Sequence, residues 1–490
     1  MKNIMYVGTR NNDTEVTASQ AILKGICDDG GLFIPKEIPK LDKPLEELMK
    51  LDYRDLAYEI LKLYLSDFTE EELRYCINGA YDDKFDTPEI APVIKKGDVS
   101  FIELFHGRTI AFKDMALSIL PYLMKTAAKK NGVDKEIVIL TATSGDTGKA
   151  ALEGFAGVDG IRIIVFFPED GVSPVQKLQM VTQVGANTCV AGIHGNFDDA
   201  QTAVKTIFTD DKLKNELADK GFIFSSANSI NIGRLVPQVV YYFQAYLKMA
   251  QSGQIRLGDN INVTVPTGNF GNILAGYFAS QMGLPVKTFI CASNINNILT
   301  DFFTTGTYDK NRPFHITKSP SMDILVSSNL ERLLCLSTSQ EKTKELMEDL
   351  SKFGRYSLDL TGGIIKGYCA TEKETCEAIK DMFVKNGYVM DTHTAVAYAS
   401  YEKYKKESND NTPTVIVSTA SPYKFTKDVI SSIDEKYEDM DFFPLMGELE
   451  KVSGLRIPDP VKGIELRPVV HKNVIDKTEI KDFVRKQLLG

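Results

Sequence analysis

Phe101-Ile102-Glu103-Leu104-Phe105-His106-Gly107-Arg108-Thr109-Ile110-Ala111-Phe112-Lys113-Asp114-Met115-Ala116 reads as an apolar strand-like run, a glycine turn and the opening of a helix. From Phe112 onward Met115, Ala116, Ile119, Leu120, Leu123 and Ala127 recur at i, i+3, i+4 and i+7, the spacing of one buried helical face. Lys113 therefore falls in a first helical turn. The helix dipole is positive there and suits acids such as Asp114 better than a cation. A lysine held against that field is biased towards its neutral amine, the form that attacks carbonyls. The stretch also admits an ordinary solvated lysine, so the choice turns on what the rest of the chain brings to it.

Outward from this stretch the pattern is strand, glycine loop, helix, several times over. Glu136–Leu140 is a continuous apolar strand followed by Thr143-Ser144-Gly145-Asp146-Thr147-Gly148 and the helical KAALEGFAG. Further strands are expected at Ile161–Phe167, Thr188–Ala191, Ile223–Ser225, Ile261–Val265, Phe289–Ala292 and Thr414–Ser418, with a helix over Leu235–Met249. Fully apolar strands alternating with helices indicate a parallel sheet covered on both faces, an α/β architecture. Before it, Ile4–Val7 reads as a strand, and Leu45, Leu48, Met49, Leu56, Ile60, Leu61 and Leu65 keep helical spacing. The expected division is a mainly helical N-terminal domain over residues 1–95, a large domain over 96–130 and 230–490, and a small α/β domain over 131–229. The charged stretch Glu402–Asn411 reads as a solvated helix end and loop.

With 490 residues the chain is long enough for two or three domains and a sizeable core. Its net charge of −9 argues against a general nucleic-acid or anionic-membrane binder. An anionic ligand would then need local positive groups. Seven scattered cysteines, an odd number without a C-x-x-C pair, suggest neither a disulfide framework nor a zinc site. The N-terminus lacks the apolar core of a signal peptide, and the longest apolar runs are strand-sized. The expectation is a soluble protein of the cytoplasm.

Open α/β sheets bind ligands at the carboxyl ends of their strands. Two loops there combine glycine with hydroxyl or amide side chains: Ser144-Gly145-Asp146-Thr147-Gly148, and Gly268-Asn269-Phe270-Gly271-Asn272. Glycine lets backbone approach a ligand, and a helix N-terminus favours an anion. Asp146 limits the first loop, since its carboxylate repels an anion placed close by. Two clusters, Ser225-Ser226-Ala227-Asn228-Ser229-Ile230-Asn231 with Arg234, and Ser319-Pro320-Ser321-Met322-Asp323 with Ser327, Ser328 and Asn329, are N-cap or turn clusters that also supply donors for a phosphorylated ligand. The five histidines show no metal-ligand spacing, and neither G-x-S-x-G nor H-E-x-x-H occurs. Gly145-Asp146-Thr147-Gly148-Lys149 resembles a nucleotide-binding P-loop, the alternative from pattern alone. Thr143 stands where its first glycine belongs, however, and Ala150 where a magnesium hydroxyl belongs.

At the level of longer motifs the chain resembles threonine synthase of the longer bacterial and fungal type, a fold-type II pyridoxal-phosphate enzyme family. The resemblance covers nearly the whole chain. It is carried by TRNND, DDGGLFIP, HGRTIAFKDMAL, TATSGDTGKAAL, VSPVQKLQMVTQ, SSANSINIGRLVPQVVYY, PTGNFGNILAG, SPSMDILVSSNLERLL, DTHTAVAY and STASPYKF. It implies pyridoxal 5'-phosphate as cofactor, with Lys113 as the lysine that forms the Schiff base. It further implies Gly268, Asn269, Phe270, Gly271 and Asn272 as the phosphate loop and Thr419 as the hydroxyl facing the pyridine nitrogen. Ser144, Gly145, Asp146 and Thr147 correspond to the loop receiving the substrate carboxylate. Asn228, Asn231, Arg234, Ser321 and Asn329 lie in the segments that correspond to substrate-side and phosphate-side groups. The implied reaction turns O-phospho-L-homoserine and water into L-threonine and phosphate, in a protein that leans towards a monomer. The rival readings are a related phospho-lyase giving a 2-oxo acid and ammonia, and a non-catalytic binding protein of the same fold. The chain departs from the family pattern at Arg108, where proline is usual, at Ser421, where histidine is usual, and at Gly8-Thr9-Arg10-Asn11. Arg108 is either an added phosphate contact or a surface change.

Overall fold

In a computed structural model the described residues are 3–11, 15–143, 145–170, 172–208 and 210–490. Two parallel sheets carry the architecture. The larger runs 365–369, 286–293, 261–266, 414–418, 99–103, 93–96 in spatial order; every neighbouring pair is parallel except the hairpin 93–96/99–103. The smaller runs 473–476, 188–194, 161–168, 136–142, 222–225, parallel throughout. Val263, Val265, Val415, Ile416 and Val417 are fully buried, as strands covered on both faces must be. The α/β class and the fully apolar strands are therefore as expected from sequence.

The helices start where their caps dictate. Thr17, Thr69, Ser173 and Thr371 each close a capping box, satisfying the first orphan N–H groups of the helices at 18–24, 70–80, 174–181 and 372–386. In the N-terminal part Leu56, Ile60 and Leu61 line the buried face of helix Tyr53–Tyr64. The expected single helix over 235–249 is two, Ile232–Leu235 and Gln238–Gln251, because Pro237 between them cannot donate to a continuous ladder. The charged stretch after Glu402 ends helix Thr392–Ser408, which closes on a left-handed Asn409.

One boundary requires correction. The large domain expected over 230–490 does not hold its last residues. Asn473–Asp476 pairs in parallel with strand 188–194, and Ile480, Val484 and Leu488 of helix Ile480–Leu489 join the core of the small sheet with Val138, Ile164 and Ile193. Strand Ile365–Cys369, which sequence spacing did not suggest, closes the other edge of the large sheet. Among the described residues no helix is long and apolar enough to cross a membrane.

Candidate active site

Both glycine loops sit at the carboxyl ends of strands. Strand 136–142 leads through 143–145 into helix Asp146–Phe155, and strand 261–266 leads through 267–270 into helix Gly271–Met282. Strand 414–418 ends at Thr419, whose carbonyl accepts the Phe112 N–H at 2.8 Å. That bond, with Ser421 N–H to the Ile110 carbonyl at 3.0 Å, fastens the Lys113 stretch to the end of the strand.

Lys113 directly precedes the single-turn helix Asp114–Leu117, and its side chain is partly buried, 13% exposed. Its Nζ lies 3.4 Å from Asp146 Oδ2. Burial lowers its pKa, and the nearby Lys424 and Arg234 cations act in the same direction, while Asp146 opposes them. The bias towards free amine expected from the helix dipole is present, but its main source is desolvation, since one helical turn carries little dipole.

Asp146 is the hub of the site. Its Oδ1 accepts from Gln176 Nε2 at 2.7 Å and faces Lys424 Nζ at 3.0 Å. Its Oδ2 accepts from Ser321 Oγ at 3.0 Å and faces Lys113. Burial alone would raise its pKa, yet Lys424, Lys113 and the Gln176 hydrogen bond outweigh that and hold the carboxyl far below the usual carboxylate range. The repulsion expected between this loop and an anion is thus offset by two cations. Lys424 also donates to the Thr109 carbonyl at 3.1 Å. Thr109 in turn donates through its backbone N–H and hydroxyl to Asp114, whose carboxyl burial pushes up to about 6 against those bonds.

The second loop is neutral. Phe270 adopts a left-handed conformation (φ 65°), and a Cβ on Gly268 would lie 2.6 Å from the Ser321 carbonyl oxygen. Ser327 Oγ donates to the Gly268 carbonyl at 2.6 Å, and Asn329 donates to the Asn269 carbonyl through both backbone and side chain. Asn272 Oδ1 accepts from Tyr241 and Tyr242, whereas its buried Nδ2 has no hydrogen-bond partner among the described residues. Arg234 is buried with Nη1 on the Ala227 carbonyl and Nε without a partner among the described residues; burial lowers its pKa to about 10. A glycine cradle at a twelve-residue helix N-terminus, with unsatisfied buried donors on Asn272 and Arg234, suits a ligand bearing phosphate or carboxylate oxygens.

Not every expected residue joins this centre. Asn231 spends its side chain on backbone: Nδ2 donates to the Ile22 and Ser226 carbonyls, and Oδ1 caps Gly233. Asn228 is exposed, Thr147 is half-buried in the first turn of its helix, and Ser144 lies outside the described residues. Arg108 is 52% exposed and paired with Glu153 at 3.4 Å, a surface change. Ser421 caps the turn Pro422–Phe425 through the Tyr423 N–H. Four residues that spacing did not single out are in the site's wall: Lys424, Gln176, His393 and Asp391. His393 Nε2 accepts the Ser321 N–H at 3.1 Å, which leaves the proton on Nδ1 for Asp391 Oδ2 at 2.9 Å. All four lie inside motifs quoted above, so the signal was there without a role attached.

The family model "Threonine synthase N terminus" matches residues 5–81, "Pyridoxal-phosphate dependent enzyme" matches 97–420, and "Threonine synthase, C-terminal" matches 394–475. Threonine synthase of Schizosaccharomyces pombe is 35% identical over 477 residues, covering 90% of this chain and 91% of that protein. Threonine synthase-like 1 of Pongo abelii is 40% identical over 454 residues; the match takes in 88% of this chain, which spans only 60% of that protein's length. The crystal structure of PLP-bound threonine synthase from Brucella melitensis superposes with a TM-score of 0.86 at 31% identity, over 99% of this chain and 100% of that one. With a cofactor-family match across more than half its length and a relative 35% identical over 90% of this chain and 91% of that protein, the chain belongs to the threonine synthase family of pyridoxal-phosphate-dependent enzymes.

Proposed function

We propose that the chain converts O-phospho-L-homoserine and water to L-threonine and phosphate with pyridoxal 5'-phosphate. The observation that carries this reading is Lys113: a partly buried lysine, biased towards free amine, on Asp146 of a charged loop that Ser321 joins to the neutral glycine cradle. Gly268–Asn272 would hold the cofactor phosphate, Lys113 its carbonyl carbon, and Thr419 its ring nitrogen. Bound there, the cofactor supplies an electron sink for carbanion character beside the departing phosphate. Lys113, freed by substrate, takes and returns protons on the substrate carbons. Asp146 and Ser321 orient it, and Arg234 offers its free Nε to a substrate anion.

The same reading gives the division of labour in the fold. Residues 1–95 form a helical N-terminal part, the large sheet carries Lys113 and the phosphate cradle, and the small sheet carries Asp146 on a body that closes over the substrate. We read the chain as acting in the cytoplasm as a monomer, on a phosphorylated amino acid and not on nucleic acid. The test is a product assay on O-phospho-L-homoserine with added cofactor. Threonine and phosphate in equal amounts are expected. Accumulation of 2-oxobutyrate and ammonia would replace the reading with a phospho-lyase, and bound cofactor without turnover would replace it with a binding protein.

A further inference from the structure

Lys424 is the most enclosed cation of the site, its side chain 0% exposed, and it holds Asp146 and the Thr109 carbonyl. Its surroundings define a task. The two oxygens of Asp146 face different sets of partners: Oδ1 meets Lys424 and Gln176, and Oδ2 meets Lys113 and Ser321. One carboxylate therefore answers two ammonium groups, Lys424 fully buried and Lys113 partly so, with the Arg234 guanidinium as a third cation acting on Lys113. A buried cation is costly without an opposite charge. Asp146 cannot leave either lysine without exposing that cost, and while Lys424 holds Oδ1 the other oxygen stays directed at Lys113. The backbone makes the arrangement rigid, because the segment carrying Lys424 is bonded to the Lys113 stretch through Phe112 N–H to the Thr419 carbonyl and Ser421 N–H to the Ile110 carbonyl.

We propose that Lys424 is a positioning residue for Lys113: it anchors one oxygen of Asp146, aims the other at Lys113, and makes the two lysines share a single counter-ion. The inference rests on the reading of Lys113 as the reacting amine and names a residue that makes it so. When the Lys113 nitrogen is engaged covalently and carries less charge, Lys424 remains to keep Asp146 ionised and in place. When Lys113 is released, a shared carboxylate stabilises its ammonium less than an undivided one would, so more of it stays as free amine.

The experiment reads Lys113 itself and needs neither substrate nor product. The full chain without added cofactor is labelled with trace dinitrofluorobenzene across a pH series, and the Lys113 peptide is quantified by mass spectrometry. In Lys424→Met, Asp146 belongs to Lys113 alone, and the labelling midpoint should rise by about one pH unit, a tenfold loss of reactivity below it. Lys424→Arg should restore the midpoint, and Asp146→Asn should lower it. Lys424→Gln keeps a hydrogen-bonding group and loses only the charge, so it gives the same reading if Lys424→Met does not fold. A midpoint unmoved or lowered in a folded charge-free variant overturns the proposal. A failed product assay alone would overturn the reading of the reaction and leave this result standing.

Discussion

The two glycine loops share a grammar of strand, glycine, hydroxyl or amide, and helix, yet they do different work. In the loop before helix Asp146–Phe155 Thr143 Oγ1 accepts the Gly145 and Gly148 N–H groups, so two backbone donors are satisfied locally, and one charge, Asp146, faces two lysines. In the 268–272 loop the carbonyls are held from outside by Ser327 and Asn329, and the side-chain amide of Asn272 is left with an unsatisfied donor. The first loop is a counter-ion; the second is a cradle. A glycine pattern at a helix N-terminus therefore does not by itself say which sign of charge it serves, and the buried neighbours decide.

Changes on either side of this contrast should separate the two roles. The largest effect is expected where the loops converge. Lys113→Ala should lower the rate of threonine formation by about a thousandfold or more and abolish borohydride-trapped cofactor; a residual rate within tenfold of the parent would break the assignment. Asp146→Asn comes next, because it strands two ammonium groups, Lys424 fully buried and Lys113 partly so. It should cost about 3–5 kcal/mol in urea unfolding while sparing cofactor-phosphate affinity. Its sign with pH follows from the depressed carboxyl: the stabilisation is present above the unfolded carboxylate pKa of about 4 and is lost as pH falls further, and the Asn variant should lack that acid-side loss. Gly268→Ala attacks the cradle instead. Its Cβ meets the Ser321 backbone, so it should cost about 1–3 kcal/mol and weaken retention of the cofactor, read from its absorbance after gel filtration. The smallest effect belongs to Arg108→Pro, which loses a half-exposed ion pair. Stability should stay within about 0.5 kcal/mol, and a marked rise in KM for the phosphorylated substrate would reinstate Arg108 as a phosphate contact.

The legible parts of the molecule were those with a local cause. Strands 136–142, 161–168 and 261–266 are mostly apolar because both faces are covered, and the loops behind the first and third announce themselves by glycine. The illegible parts depend on distant company. Lys424 looks like any lysine until folding brings it against Asp146, 278 positions earlier in the chain. Strands 365–369 and 473–476 lie at sheet edges and are half exposed, so they lack the continuous apolar run that marks an inner strand. Asn231 had the residue type of a binding group and the neighbours of a cap. The free-amine bias of Lys113 is suggested by its helix position, but burial is its largest cause.

The C-terminal segment that adds strand 473–476 and helix Ile480–Leu489 to the small sheet has a consequence for how the protein is made. Until residues 473–489 leave the ribosome, strand 188–194 is an open edge with unpaired N–H and carbonyl groups, and the apolar face of Val138, Ile164 and Ile193 lacks part of its cover. Synthesis in chain order thus completes the large sheet first and leaves the body bearing Asp146 without this strand and helix until residues 473–489 are made. A chain stopped short of residue 473 would carry every residue proposed for the site and still offer a sticky edge to its neighbours, so quality control that reads exposed strand edges is well placed to detect it.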